Sequence, residues 1–176
     1  PASGMTDEQG KPVVWEACQT FSGSWGYHRD EQTWKSVDQL LRMLVDGVSK
    51  GGNLLLNVGP TARGEFDQRA CERLEGMGRW MRRNSRSIYG CGPAPEGLPA
   101  PRDCRYTYNP KTNRLYLHVL AWPFKDIYCE GLGERIEYAQ FLHDASEVRF
   151  GTPREASWSG MDGNKGGTPV AIHVPV

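Results

Sequence analysis

"SVDQLLRMLVDGVSKGGNLLLNV" occupies residues 36–58 and changes its period partway along. Val37, Leu40, Leu41, Leu44, Val45 and Val48 fall at i, i+3, i+4, i+7, i+8 and i+11, a single apolar stripe on a helix. Ser36 with Gln39 three residues later predicts a capping box, and Gly51-Gly52 predicts the helix end. The next run, residues 53–58, is nearly all apolar and is bounded by Gly52 and Gly59-Pro60. A strand apolar on both faces is what a buried parallel sheet produces.

Upstream, residues 13–18 predict a short strand that runs into a long irregular loop. Downstream, the loop GPTARGEF (residues 59–66) leads to a second helix. Asp67 is its predicted N-cap, with Ala70, Cys71, Leu74, Met77, Gly78 and Met81 on one side and an end near Asn84. The order is therefore strand, loop, helix, strand, loop, helix. In such βαβα arrangements functional residues sit on loops at the C-terminal ends of the strands. The first of these loops belongs to VVWEACQTFSGSWGYHRDE (residues 13–31), which gathers Glu16, Asp30 and Glu31 among Trp15, Trp25 and Tyr27.

Composition removes several function classes. The 176 residues are 24% charged and 38% hydrophobic, a globular profile. Basic and acidic residues balance at 21 each, so no electrostatic case exists for nucleic acid or an anionic membrane as partner. No apolar run approaches the roughly 18 residues needed to cross a bilayer, and PASGMTDEQGKP has no signal-peptide core. RWMRRNSR (residues 79–86) reads as the solvated end of a helix, where cations oppose the helix dipole. GPTARG lacks the Gly-Lys-Ser/Thr ending of a phosphate loop, which argues against nucleotide binding. Cys18, Cys71, Cys91, Cys104 and Cys129 are widely spaced and odd in number, without zinc-ligand spacing to one another or to His28, His118, His143 and His173. They read as packed free thiols, with a Cys91–Cys104 disulfide as the alternative.

Residues 90–103 (GCGPAPEGLPAPRD) are dense in proline and glycine and read as a linker. Beyond them the period becomes two. RYTYNP, RLYLHVLAWP, IYCEGL, RIEYAQFL, EVRF and PVAIHVPV are short strand candidates, with NPKTN (residues 109–113) and DGNKGG (residues 162–167) as turns. The fold expectation is α/β plus all-β, the second part a small antiparallel β-sandwich.

WEAC (residues 15–18), WGY (25–27), WKS (34–36), VSKGGNLLLNVGPTARGEF (48–66) and GRWMRRNSRSIYG (78–90) together resemble the α-L-fucosidases of the retaining glycoside hydrolase type. The resemblance implies that residues 1–90 are the last strand-helix units of a (β/α)8-type barrel, residues 91–103 a linker and residues 104–176 the β-sandwich that follows the barrel. A full barrel takes roughly 250 residues. The chain is accordingly expected to be the C-terminal portion of an enzyme, with the aspartate nucleophile and fucose-gripping histidines upstream, and inactive alone. The implied partners are a fucosylated glycan and the upstream barrel strands, with a homo-oligomer allowed; no cofactor or metal is implied. The compartment implied is secreted, periplasmic or lysosomal.

Retaining glycoside hydrolysis uses two carboxyl groups about 5–5.5 Å apart, a nucleophile and an acid/base. The resemblance places the acid/base in the aromatic-Gly-Tyr loop and implies Glu31 or, as in other relatives, Asp30. Burial against aromatics is expected to raise that group's pKa, with Gly26 allowing a close turn. The plain reading of Asp30-Glu31 is a solvated pair near a helix start. Glu16 either faces the active site or fixes the loop by a hydrogen bond, and Cys18 reads as a packed thiol. Trp15, Trp25 and Tyr27 are candidates for an apolar platform under the sugar or for ordinary core. Arg29 and His28 are candidates for sugar hydroxyls or for exposed loop positions. Asn53 and Asn57 are expected to satisfy loop backbone. The competing function is a non-catalytic carbohydrate-binding or interaction role for residues 105–176; a third reading has the sandwich merely cover and stabilise the barrel.

Overall fold

A computed structural model describes residues 4–153 and 168–175. The chain divides into two compact units: one runs to Pro93 and includes Thr107–Leu115, the other comprises Ala94–Tyr106 and the residues from Tyr116 onward.

In the first unit, β1 (Trp15–Thr20) and β2 (Gly52–Asn57) form a parallel pair joined by α1 (Val37–Ser49), and α2 (Gln68–Asn84) follows. The register sets Trp15 opposite Gly52, Glu16 opposite Asn53 and Thr20 opposite Asn57. β1 begins and ends two residues later than the sequence pattern predicts, because Val13 and Val14 are left exposed outside the ladder. The capping box forms as expected: the Gln39 N–H donates to Ser36 Oγ at 3.1 Å and the Ser36 N–H to Gln39 Oε1 at 2.8 Å. Gly51 ends the helix region at φ +78°, a conformation that favours glycine. Along α1, Leu40, Val45 and Val48 are buried, and Val45 and Val48 share a core with Ile88, flanked by Leu44, Trp80, Met81 and Cys91.

Two expectations change in this unit. β2 is not apolar-buried on both faces: Asn53 is exposed and Leu55 is 48% exposed, while Leu54 and Leu56 are half-buried. Alternate residues of the two strands point to opposite faces. Glu16 and Cys18 on β1 share the open one, so Cys18 is an exposed thiol and not a packed one. On α2, Asp67 caps the helix as expected, its carboxylate accepting the Arg69 N–H at 2.8 Å. The side turned inward is set by Ala70 and Gly76, however, and Leu74 is left 39% exposed. Gly76 lies against Val37 so closely that an added Cβ would sit 2.6 Å from its Cγ2.

In the second unit, β5 (Asp126–Cys129), β7 (Val170–His173) and β6 (Phe150–Gly151) form an antiparallel sheet in the order β5-β7-β6. β3 (Cys104–Asn109) and β4 (Arg114–Val119) make a hairpin whose tip groups with the first unit. Its NPKTN turn is built as expected, with the Lys111 and Thr112 amides donating to Asn109 Oδ1 and Asn113 at φ +51°. Cys104, Tyr106, Ile127, Cys129, Leu132, Val148, Val170, Ala171 and Val174 are buried here. Burial pushes the Cys104 thiol up to about 11 and the Cys129 thiol up as well. All five cysteines are free. RIEYAQFL forms no strand beyond a single bridge between Gln140 and Glu147. Glu134 and Ala145, at φ +62° each, bend the chain on either side of it. EVRF contributes only its last residue, Phe150, to the two-residue β6, and DGNKGG lies outside the described residues.

Candidate active site

The loop of residues 22–34 leaves the C-terminal end of β1 and returns to it. Lys35 closes its base: the Lys35 N–H donates to the Phe21 carbonyl at 2.8 Å. The Lys35 ammonium donates to the Thr20 carbonyl at 2.7 Å, to Thr20 Oγ1 at 3.2 Å and to the Ser22 carbonyl at 3.3 Å. The cation thus ties together the carbonyls where the strand gives way to the loop.

The return leg is held from the other βα loop. Asn57, at the end of β2, donates its amide to the Trp25 carbonyl at 2.6 Å, which meets the expectation that it serves loop backbone. Asn53 does the same for the Trp15 carbonyl at 3.3 Å. Two residues after Asn57, Gly59 touches the loop backbone itself: a Cβ there would lie 2.2 Å from the Tyr27 nitrogen and 2.3 Å from the Gly26 carbonyl carbon. The close approach therefore requires glycine at 59 and not at Gly26, where an added Cβ meets nothing within 4 Å.

Between these supports lies a shallow, open hollow, lined by Phe21, Ser22, Ser24, Gly26, Tyr27, His28, Glu31, Trp34, Asn57, Val58 and Gly59. Glu31 is the only carboxylate among these residues. One of its oxygens accepts the Ser24 hydroxyl at 2.7 Å; the other accepts the Thr33 N–H at 2.7 Å and the Thr33 hydroxyl at 2.5 Å. These donors, the Thr33 hydroxyl foremost and the Ser24 hydroxyl next, hold Glu31 down at about 2. That reverses the expected direction. Aromatic burial does not dominate here, because the carboxylate is only partly covered and is solvated by hydroxyls instead.

The other expected site residues separate. Asp30 is 72% exposed and, among the described residues, its carboxylate pairs with the neighbouring Arg29, itself 83% exposed. Neither lines the hollow. Glu16 points from the open face of β1 and is likewise absent from the lining. Trp15 makes the contacts of the core alternative: its ring covers Gly52, where a Cβ would fall 2.4 Å from Cε2, and its indole N–H donates to the Lys50 carbonyl at 3.3 Å. Trp25 lies 62% exposed beside the hollow, whereas Tyr27 and His28 line it. Sequence reasoning missed Ser24 and Thr33, whose proximity depends on the loop's fold. It also missed Trp34 and Arg69, for which no periodic signal exists. Among the described residues no three His, Cys, Asp or Glu side chains gather in a metal-binding group.

Residues 3–86 match the family model for α-L-fucosidase. Human plasma α-L-fucosidase is 37% identical over 116 residues, which are 64% of this chain and 25% of that protein. Among solved structures, α-L-fucosidase isoenzyme 1 from Paenibacillus thiaminolyticus aligns with a TM-score of 0.83 at 38% identity, covering 100% of this chain and 43% of that one. The Thermotoga maritima α-fucosidase in complex with fucose aligns at 0.74 and 32% identity, covering 92% of this chain and 36% of that one. Residues 3–86 are thus similar to the α-L-fucosidase family, and the chain spans about a quarter of the length of the curated relatives it matches.

Proposed function

We propose that this chain is the part of a retaining α-L-fucosidase that carries the acid/base carboxylate, and that this carboxylate is Glu31. The supporting observation is that Glu31 alone of the adjacent acidic pair faces the hollow, while Asp30 faces solvent. In this reading β1, α1, β2 and α2 are closing strand-helix units of a (β/α)8 barrel, residues 91–103 link to the second unit, and that unit is a β-sandwich. The nucleophile is an aspartate on a barrel strand outside this chain. The fucose bound by the Thermotoga relative supports a fucosyl group as the sugar held, with Tyr27 and Trp25 offering apolar surface and His28 a hydrogen bond.

The low pKa of Glu31 fits half of the reaction. Double displacement needs the residue first as an acid, protonating the departing oxygen, then as a base, taking a proton from water. The environment formed by Ser24 and Thr33 favours the carboxylate, the form the second step uses. For the first step the proton must be retained, and a nucleophile carboxylate brought within about 5–5.5 Å raises its neighbour's pKa by like-charge repulsion. A leaving-group oxygen that displaces the Ser24 hydroxyl removes one of the stabilising donors.

The test joins residues 1–176 to the preceding barrel strands and assays aryl α-L-fucosides. Glu31→Ala loses most activity on a substrate with a poor leaving group and is rescued by azide on an activated one; Asp30→Ala behaves as the parent. Full activity in both variants on the poor substrate removes the assignment, and azide rescue of Asp30→Ala alone transfers it to Asp30.

A further inference from the structure

α2 reaches back to the loop through two arginines. The Arg69 guanidinium is anchored on the helix's own N-cap, donating through Nε to Asp67 Oδ1 and through Nη2 to Asp67 Oδ2, both at 2.8 Å. The remaining donors leave the helix: Nη1 donates to the Glu31 carbonyl at 2.9 Å, and Nη2 also to the Arg29 carbonyl at 3.1 Å. The Trp34 indole N–H donates to the same Glu31 carbonyl at 3.1 Å. The guanidinium carbon stands 4.7 Å from the centre of the Trp34 ring, and that of Arg73 stands 5.1 Å from it. Arg73 in turn donates to the Lys35 carbonyl at 2.7 Å.

We propose that Arg69 is a positioning residue that decides which of the two adjacent carboxylates faces the hollow. It grips the carbonyls of residues 29 and 31, so the peptide units that enter and leave the Asp30-Glu31 pair cannot rotate without breaking a hydrogen bond to a cation. With those units fixed, neighbouring side chains diverge: Asp30 to solvent, Glu31 to Ser24 and Thr33. A guanidinium suits this task because its planar fork reaches Asp67 and two carbonyls at once, and its charge persists at any working pH. A lysine in its place keeps a point charge near Asp67 but cannot span both carbonyls. The value of this positioning to catalysis rests on Glu31 being the acid/base; the positioning itself does not.

The test is a carboxyl NMR titration of Glu31 in the full chain, in the parent and in Arg69→Gln and Arg69→Lys. In both variants the Glu31 pKa rises from about 2 toward its ordinary 4.5, by about one pH unit or more, while the amide spectrum of α2 stays folded. A Glu31 titration left at about 2 in folded Arg69→Lys overturns the inference, because a role limited to supporting α2 is met by lysine. Should Arg69→Gln fail to fold, Arg69→Lys alone decides. Activity is measured separately on the joined protein. Unchanged activity in Glu31→Gln removes the acid/base reading and leaves the titration result standing; a lost activity with unmoved titrations removes the positioning inference alone.

Discussion

A carboxylate that accepts three hydrogen bonds is a different reagent from one pressed against tryptophan, and Glu31 is of the first kind. The Thr33 hydroxyl is the largest cause of its low pKa and the Ser24 hydroxyl the second. Thr33→Val, nearly isosteric, should therefore raise the Glu31 pKa more than Ser24→Ala does, both moving from about 2 toward 4.5; the same carboxyl titration reads the order. A reversed order would mean that the Ser24 contact governs. The folded pKa is depressed, so these hydrogen bonds contribute to loop stability fully above pH 4.5 and are lost as pH falls through about 2. Loop protection from proteolysis or amide exchange should follow that window. The sequence marked Glu31 through its motif and adjacency to Trp25-Gly26-Tyr27, but it carried no sign of Ser24 or Thr33. Ser24 reaches Glu31 across seven residues in a loop that Lys35 and Phe21 close, and Thr33 reaches it locally, two residues on.

Where elements meet, glycines carry the information that side-chain patterns do not. Periodicity located α1, β2 and α2 well, and the Ser36 and Asp67 caps were readable because capping is local chemistry. Which side of α2 turns inward was legible only in part: Ala70 and Met81 of the expected side do pack inward, but the contact made through Gly76 leaves no side chain to count. The same blindness exchanged Gly26 for Gly59. Gly59→Ala places a methyl 2.2 Å from loop backbone that cannot swing aside, and should destabilise by about 1–3 kcal/mol or more. Gly26→Ala meets open space and should change stability by no more than about 0.5 kcal/mol. Urea midpoints of the two variants test the contrast, and equal effects would deny the close approach. Gly76→Ala is subtler: helix propensity gains about 1 kcal/mol while contact with Val37 opposes it. Adding Val37→Ala should relieve part of that clash, so the double variant should lose less than the two single changes sum to, as a four-variant melting cycle measures.

Across the whole chain, the two parts were legible to different depths. The βαβα order of the first unit follows from long periodic segments, whose burial is decided within the segment. The second unit is built of strands of two to six residues, where a run such as RIEYAQFL alternates like a strand yet finds no ladder beyond one bridge. Pairing there is a choice among distant partners, and alternation alone does not make it. The same limit applies to chemistry. A retaining hydrolase needs two carboxyl groups about 5–5.5 Å apart across the sugar. Among the residues lining the hollow, Glu31 is the single carboxylate, since Asp30 is turned outward and Glu16 lies along the strand face. On the proposed reading, the hollow holds an acid/base without a nucleophile, and neither half of the double displacement proceeds, because no glycosyl-enzyme bond forms for water to cleave. The purified chain should therefore release no more phenol from an activated aryl α-L-fucoside than buffer does, at any pH between 4 and 9. The same preparation mixed with, or fused to, the remaining barrel strands should release it with retained anomeric configuration, followed by NMR of the first-formed fucose. Turnover by the chain alone with retention would require a second carboxylate from within residues 1–176, and Glu16 and Asp30 would then be the two to substitute first.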